Sequence, residues 1–279
     1  MSLKKANGAD VEKVLAEIED ENIVSLGEVE VEEDGFVHNV PLLAGYVDEN
    51  GICHKTFTYR EMNGKDEEAI NKGDVKSNGG KLANILLERC VTEIGTITKK
   101  EVGAQKWAEI IRNMLGGDID YMLVKVREIS KGEELTFQHI CPHCKAKLDT
   151  TINIDELNVT PFNGVWEIPF ELPRGYKDKN GLHRTGHIRR LNGLDREIIV
   201  PLFKKNVATG STMLITRLIK FDDGAVVTNE GVANMTVRDR DYLESLISEN
   251  NFGVDMNVEV TCTNCGADLS DTLGQSNFF

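Results

Sequence analysis

The chain has 279 residues, of which 40% are hydrophobic and 28% are charged, a composition typical of a globular protein with one large domain or two smaller ones. It carries 32 Lys and Arg against 46 Asp and Glu, a net charge of -14, which argues against wrapping duplex nucleic acid or lying on an anionic membrane. No apolar run approaches the ~18 residues of a membrane helix, and no apolar stretch follows Lys5 as in a signal peptide. We therefore expect a soluble protein made in a cytoplasm.

The first 35 residues are far more acidic than the rest of the chain. Residues 1–35 hold 11 acidic side chains against 3 lysines. Their apolar residues recur at the spacing of one helical face, at Val11, Val14, Leu15 and Ile18. The pattern predicts an amphipathic helix, which either docks on a neighbouring subunit or covers its own domain.

A long internal repeat follows this segment. Residues 54–70 and 183–199 align without a gap, and eight of their 17 positions are identical. The identical pairs are His54/His183, Thr56/Thr185, Arg60/Arg189, Asn63/Asn192, Gly64/Gly193, Asp66/Asp195, Glu68/Glu197 and Ile70/Ile199. Further along, Leu86-Leu-x-Arg89 corresponds to Leu214-Ile-x-Arg217, and Asp118-x-Asp-Tyr121 corresponds to Asp239-x-Asp-Tyr242. These matches predict an internal duplication.

The repeat divides the chain into four predicted regions. They are an acidic N-terminal segment (1–35), a first copy (36–152), a linker (153–165) and a second copy (166–279). The linker contains Pro161 and Gly164, which favour a short ordered connection over a helix.

Each copy is predicted to be an α+β unit that opens with a β-hairpin. Asn-Gly at 50–51 and at 180–181 favours a turn between two strands. A second Asn-Gly ends each hairpin, and we expect Asn63 and Asn192 to cap the helices that follow.

Two further helices are predicted in each copy. An apolar stripe runs from Leu82 to Ile94, and its counterpart extends from Met213 to Phe221. The last helix is expected to begin at a capping aspartate, Asp118 in the first copy and Asp239 in the second. Each copy then ends in a short hairpin that carries a Cys-x-x-Cys pair.

Four of the six cysteines form these two pairs, which are Cys141/Cys144 and Cys262/Cys265. In a reducing compartment such pairs are typical of metal ligands rather than disulfides. Structural zinc takes four ligands, and each pair supplies only two. We therefore predict that the two zinc knuckles form one zinc-ribbon-like site, which holds one structural Zn²⁺ per chain. The remaining cysteines, Cys53 and Cys90, are expected to be small core residues.

Other interpretations of the two pairs remain open. His139 or His143 could replace a cysteine ligand in the first copy, although Val260 and Asn264 occupy those positions in the second. The four cysteines could also line small cores as free thiols. A thioredoxin-like redox function is disfavoured, because each pair lies between predicted strands rather than at a helix N-terminus.

Several polar residues recur in both copies and could form an acid–base set. They are His54/His183, Arg60/Arg189, Asp66/Asp195 and Glu68/Glu197. The chain contains no P-loop, H-E-x-x-H or G-x-S-x-G motif. We interpret the set as helix caps and an Arg–carboxylate bond between strand and helix, so no catalytic residue is predicted.

The first copy contains a series of motifs that together resemble a known family. In chain order they are Arg60-x-Met-Asn-Gly-Lys-Asp-Glu-Glu, Leu86-Leu-x-Arg-Cys-Val-x-x-Ile-Gly, Gly117-Asp-x-x-Tyr-Met-Leu, Ser130-x-Gly-Glu-Glu-Leu-x-Phe and Cys141-Pro-x-Cys. This series is similar to contractile-tailed bacteriophage proteins of the T4 baseplate family, which includes hub components and hub-assembly factors. The resemblance is best over residues 57–148, and the acidic N-terminal segment lies outside it.

The resemblance implies a non-enzymatic structural or assembly protein of a contractile tail baseplate. Its expected partners are other phage tail or baseplate proteins, without membrane or nucleic acid, and its expected location is the virion after assembly in the host cytoplasm. One alternative is a tail assembly chaperone that is absent from the virion. A zinc-ribbon regulator that binds nucleic acid would need a basic patch, for which the candidates are Arg184, Arg189, Arg190 and Arg196. A hydrolase built on the repeated His, Asp and Glu residues is the third alternative.

Overall fold

A computed structural model describes Glu32 and residues 34–273 of the chain. The amphipathic helix predicted from Val11, Val14, Leu15 and Ile18 lies outside these residues. The described residues form nine α-helices and thirteen strands in several small sheets. This mixture of helix and sheet confirms the predicted α and β content.

The first half of the chain runs from a hairpin through a layer of helices to a second hairpin. Its elements are β1 (Phe36–Val47), β2 (Cys53–Arg60), α1 (Gly64–Ile70), α2 (Gly73–Lys76), α3 (Gly79–Cys90), β3 (Val91–Ile94), β4 (Ile97–Thr98), α4 (Lys99–Asn113), α5 (Gly116–Lys131), β5 (Glu134–Ile140), β6 (Lys147–Asn153) and β7 (Val159–Thr160). Strands β1 to β4 form one antiparallel sheet in that order, and β5 pairs with β6.

The second half repeats the order of hairpin, helices and hairpin with a shorter middle. Its elements are β8 (Glu167–Asp178), β9 (Gly181–Arg189), α6 (Gly193–Lys205), α7 (Val207–Leu218), β10 (Ile219–Phe221), α8 (Asn229–Ala233), α9 (Val237–Glu249), β11 (Gly253–Val254), β12 (Asn257–Thr261) and β13 (Asp268–Thr272). Strand β9 lies between β8 and β10, β12 pairs with β13, and β11 pairs with β7 of the first half.

A buried aspartate fills a bulge in the first strand of each opening hairpin. Asp118, the third residue of α5, accepts hydrogen bonds from the backbone N–H groups of residues 43–45 at 2.7, 3.1 and 3.0 Å. Asp239, the third residue of α9, accepts one from Arg174 at 2.8 Å. The prediction that these aspartates cap their helices was wrong, because each helix begins two residues earlier and the carboxylate satisfies strand N–H groups instead.

A second buried aspartate in each half joins the hairpin to two helices. Asp66 accepts hydrogen bonds from Arg60 on β2 at 2.7 Å and from Arg89 on α3 at 2.6 Å. Burial alone would raise the pKa of Asp66, but the bonds from Arg60, the backbone of Asn63 and Arg89 hold it below its usual range. The same arrangement occurs in the second half with Asp195, Arg189 and Arg217.

The helices that contain Asp66 and Asp195 begin at the predicted cap residues. Asn63 and Asn192 each cap their helix, and Asp66 or Asp195 returns a hydrogen bond to the backbone N–H of the cap residue. The predicted bond between strand arginine and helix carboxylate is therefore confirmed in both halves.

The helix predicted from the apolar stripe between Leu82 and Ile94 was too long at its C-terminal end. Helix α3 ends at Cys90, and residues 91–94 continue as β3, which pairs with β2. Helix α7 likewise ends at Leu218 before β10. Short apolar runs suit a buried strand as well as a helix, so periodicity alone did not locate this boundary.

The apolar core consists of two large clusters that do not follow the predicted boundary between the copies. The first cluster contains Phe57, Leu86 and Trp107 of the first half, together with Val258 and Leu273 near the C-terminus. The second is confined to β8–β10 and α7–α9. Both Cys-containing hairpins therefore pack against the core of the first half.

The two halves meet where α6 begins. Arg196 donates two hydrogen bonds to the carboxylate of Asp120 on α5, at 2.5 and 2.6 Å. Both side chains are mostly buried, at 17% and 14% exposure. A planar guanidinium facing a carboxylate in this two-bond geometry fixes the orientation of the two helices as well as their contact.

Further polar contacts surround this ion pair. The amide of Asn84 on α3 donates to the carbonyl of Gly193 at 3.0 Å and to Glu197 at 2.9 Å, and Arg112 donates to Glu197 at 3.1 Å. A Cβ at Gly80 would lie 2.5 Å from the backbone of Arg196, so glycine at this position permits the close approach. Helices α3, α4 and α5 together form the surface that the start of α6 contacts, which we call the α6 docking face.

A histidine joins two acidic loops of the second half. His183 on β9 contacts Asp178 at 2.9 Å and Asp223 at 2.5 Å, one with each ring nitrogen. These hydrogen bonds, from Asp178 first and Asp223 second, hold the pKa of His183 above its usual range. Stabilisation from a raised pKa is complete below the unfolded-state pKa and is lost as the pH rises through the folded-state value.

We predict that His183→Gln lowers the melting temperature more at about pH 6 than at about pH 9, since unfolded histidine titrates near about 6.5. Differential scanning fluorimetry across this range measures the effect. His143→Gln serves as the control, because that side chain is exposed. An equal loss at both pH values would show that His183 is not charged in the folded protein.

Candidate metal centre

Each Cys-x-x-Cys pair lies in the turn of a short hairpin, β5–β6 or β12–β13, as predicted. In the first turn the N–H of Cys141 donates to Ala146 and the N–H of Lys145 donates to the carbonyl of Cys141, both at 2.9 Å. The second turn contains the same two bonds, both at 2.8 Å, made by Cys262, Gly266 and Ala267. Two unconnected segments therefore form the same knuckle.

The positive φ angles in the two turns show the same conformation. Lys145 has a φ of 63° and Gly266 a φ of 71°. A residue other than glycine is uncommon in this region and costs of order 1 kcal/mol. The lysine is thus held in a conformation that the turn requires and that its own side chain disfavours.

The structure brings the four cysteines of the two knuckles into one group. The Sγ atoms of Cys141 and Cys265 lie 3.7 Å apart, as do those of Cys144 and Cys262. All four Sγ atoms lie within 4.8 Å of one another. None of the four is in a disulfide.

These distances fit a tetrahedral metal site. Zinc–thiolate bonds measure about 2.3 Å, and four sulfurs at that distance in a tetrahedron lie about 3.8 Å apart. A disulfide would need about 2.05 Å between sulfurs, which is far shorter than the distances found here. The donor set and its geometry thus match the ligands of a structural zinc ion.

The group of four cysteines is shielded from solvent on one side. Cys141 and Cys262 are buried, while Cys144 is half-buried and Cys265 is exposed. Apolar side chains from both hairpins pack around them, namely Leu148, Val260, Ala267 and Leu269. The two hairpins form separate two-stranded sheets, and this small cluster with the cysteines adds a contact between them beside the first apolar cluster, to which both contribute.

A residue that the sequence did not indicate completes the site. The side-chain amide of Asn264 donates a hydrogen bond to the Sγ of Cys144 across the two knuckles at 3.3 Å. This bond, together with the backbone N–H of Ala146, lowers the pKa of the Cys144 thiol to about 6. A thiolate is the form that binds metal. Asn264 is the counterpart of His143 in the repeat, and its amide acts here as a hydrogen-bond donor to the sulfur rather than as a metal ligand.

His143, one of the two histidines considered as replacement ligands, is not part of the described group. His143 is exposed, and the metal-ligand group contains only cysteines. The side chain of His139 lies outside the described part of the structure. The expectation for the remaining cysteines holds for Cys90, which is buried, and was wrong for Cys53, which is exposed next to the hairpin turn.

The repeated polar residues are engaged in contacts that hold the fold together. Asp66 and Asp195 bind arginines, and Glu197 binds the other half of the chain. Glu68 is exposed. Within the described residues the structure does not gather these side chains into one cleft.

The proposed basic patch is also taken up by internal contacts. Arg189 pairs with Asp195, and Arg196 pairs with Asp120. Arg190 is buried, and it donates to the carbonyl of Val165 at 2.7 Å. Arg184, the fourth candidate, is exposed and donates to the carbonyl of Pro173 at 3.2 Å, so three of the four arginines are engaged in internal ion pairs or burial.

Most of the chain matches one known protein family. The family described as T4 bacteriophage base plate protein matches residues 52–279. The chain belongs to this family. No curated protein and no solved structure matches the chain.

The match to this baseplate family includes residues 57–148, where the motif resemblance is best, and continues through the second half of the chain. It covers both Cys-x-x-Cys pairs and the opening turn at residues 180–181, whereas the acidic N-terminal segment and the first opening turn at residues 50–51 lie outside it. Within the part of the chain that the structure describes, none of the helices is both long and apolar enough for a membrane span. A phage tail baseplate is the assembly to which the family is assigned.

Proposed function

We propose that this baseplate-family protein binds one structural zinc ion through Cys141, Cys144, Cys262 and Cys265. The support is the approach of four sulfurs from two hairpins at distances suited to a tetrahedral site. The ion would supply no reaction chemistry, since all four positions are protein ligands. Its contribution is to join a hairpin at residue 140 of the chain to one more than a hundred residues later.

We further propose that the two halves are copies of one ancestral unit, with boundaries near those predicted from the sequence. Three buried arrangements support this: the aspartate in the hairpin bulge, the aspartate between two arginines, and the cysteine knuckle. Each occurs once in each half at corresponding positions of the sequence. Chance would have to reproduce all three in the same order.

We infer that the protein is a non-enzymatic structural component of the baseplate that acts by contact with other tail proteins. The observation that carries this inference is the family match, and the engagement of the repeated His, Asp and Arg residues in internal bonds supports it. The virion is the proposed location, with assembly in the host cytoplasm.

Quantitative mass spectrometry of gradient-banded virions tests this proposal. We expect the chain at a fixed, small number of copies relative to other minor tail proteins. If the chain is abundant in infected cells and missing from virions, it is an assembly chaperone instead. If it is missing from both virions and tail intermediates, the proposed structural function is wrong.

A further inference from the structure

A buried arginine in the second half has no carboxylate partner. Arg190 directly follows β9 and is only 8% exposed. Its guanidinium donates to the carbonyl oxygens of Val165, at 2.7 Å, and Asn250, and to the side-chain oxygen of Asn163 at 3.0 Å. Among the described residues no carboxylate forms an ion pair with it. The three acceptors satisfy N–H groups but leave the positive charge without a counter-charge.

A buried charge without a counter-charge is costly, and proteins normally pair it with an opposite one. The ring of Phe162, whose centroid lies 5.5 Å from the guanidinium carbon, adds only a weak cation–π attraction. Burial lowers the pKa of Arg190 below its usual range, and no acid of the described residues opposes this shift. Because arginine nevertheless stays protonated in proteins, its charge calls for a nearby anion.

A small cavity of about 40 Å³ lies beside Arg190, between the two halves of the chain. Its walls come from the start of α5, the end of β9, the first turn of α6 and the residues just after α9. A cavity admits one water molecule when this volume exceeds about 10–15 Å³. The cavity therefore has room for a small ion together with water, but not for a bulky organic anion.

The walls of this cavity carry an excess of positive charge. Two further arginines line it, Arg189 and Arg196. Arg189 shares the carboxylate of Asp195 with Arg217. The carboxylate of Asp120 binds Arg196 with both oxygens. With the buried arginine included, four arginines thus meet two carboxylates at this junction.

The N-terminal end of α5 adds to the positive potential of the cavity. Gly116 and Gly117, its first two residues, line the cavity, and no side chain caps the helix at Leu115. The N–H of Gly116 donates to Leu191 at 2.8 Å, whereas that of Gly117 has no acceptor among the described residues. Helix N-termini carry a partial positive charge and bind anions through such N–H groups. An anion in the cavity would lie near both this helix end and the buried arginine.

We propose that this cavity binds a small monovalent anion such as chloride, which serves as the counter-ion of Arg190. The anion would neutralise the buried charge at the point where linker residues 163–165 meet β9 and the end of α9. Because the cavity exists only in the folded chain, the bound anion should stabilise the fold. Neither the zinc site nor the baseplate function is needed for this binding.

Thermal unfolding of the full-length chain at constant ionic strength tests the site. Sodium gluconate, whose anion is too large for the cavity, is replaced stepwise by sodium chloride up to about 200 mM. We expect the melting temperature to rise and level off, by about 3–6 °C in total for a dissociation constant of about 10 mM. Arg190→Gln should lose this dependence, whereas Arg184→Gln, a matched change at an exposed arginine of β9, should keep it.

Bromide provides a second measurement that needs no variant and decides the matter if Arg190→Gln does not fold. In crystals of the wild-type chain grown with sodium bromide, anomalous scattering should show one bromide in the cavity next to Arg190. A cavity that contains only water would overturn the proposal, as would a chloride effect of the same size in wild type and Arg190→Gln. Bromide in the cavity without any chloride effect on the melting temperature would mark an adventitious ion only, which also contradicts it.

Discussion

Cys262→Ser is expected to abolish zinc binding and to lower the melting temperature by about 10 °C or more. Removal of one ligand leaves three thiolates, and structural zinc sites contribute about 10–16 kcal/mol of binding free energy in small domains. Even a third of that amount would shift the melting temperature of a chain this large by roughly 10 °C. Inductively coupled plasma mass spectrometry and differential scanning calorimetry measure the two quantities.

Cys53→Ser is the matched control for this variant. Cys53 is also a free cysteine, but it is exposed and lies in the opening hairpin. It should keep full zinc content and the wild-type melting temperature. Chelation of zinc from the wild-type chain should reproduce the melting temperature of Cys262→Ser, because both remove the same bond between the hairpins. Unchanged zinc content in Cys262→Ser would exclude the shared site.

The destabilisation caused by loss of zinc should extend to the first half of the chain as well as to the C-terminal hairpin. Val258 and Leu273 belong to the same apolar cluster as Phe57 and Trp107. When the two hairpins separate, β12–β13 loses its attachment to that cluster. Hydrogen exchange of the zinc-free chain should therefore increase in β5–β6 and β12–β13 before it increases in α7 and α9.

Arg196→Ala is expected to destabilise the protein by about 3–5 kcal/mol, the usual cost of removing one partner from a buried ion pair. Asp120 would remain mostly buried without the guanidinium that contacts both of its oxygens. The corresponding change in melting temperature is roughly 6–20 °C. Urea denaturation monitored by tryptophan fluorescence measures the free energy.

The control for Arg196→Ala is Lys106→Ala, which removes an exposed ion pair with Glu49. Exposed pairs contribute about 0–1 kcal/mol, so this variant should unfold close to the wild type. Arg196→Lys should recover only part of the stability, because an ammonium group cannot make the two-bond contact with Asp120. If Arg196→Ala matched Lys106→Ala, the contact at the start of α6 would not hold the halves together.

The sequence was most informative where a residue type has one structural use. The hairpins that carry the two Cys-x-x-Cys pairs, the Asn-Gly turns and the caps at Asn63 and Asn192 each appear as predicted. Local chemistry determines these features, since a cap or a tight turn depends on a few neighbouring residues. For that reason they could be located without knowing the remainder of the fold.

Features that depend on distant packing could not be predicted in the same way. The boundary between α3 and β3 depends on pairing with β2, which periodicity does not show. Asp118 looked like a helix cap, whereas its partners are strand N–H groups some 75 residues away in sequence. The packing of both cysteine hairpins against one core also results from tertiary contacts, as does the bond from Asn264 to Cys144.

X-ray absorption at the zinc edge of the purified chain reports directly whether one zinc ion joins the two halves through the four cysteines. We predict one zinc per chain with four sulfur neighbours at about 2.3 Å. Nitrogen or oxygen among the neighbours would show that a histidine, carboxylate or water replaces a cysteine. A chain without zinc, or with two ions each bound by one pair, would contradict the shared site.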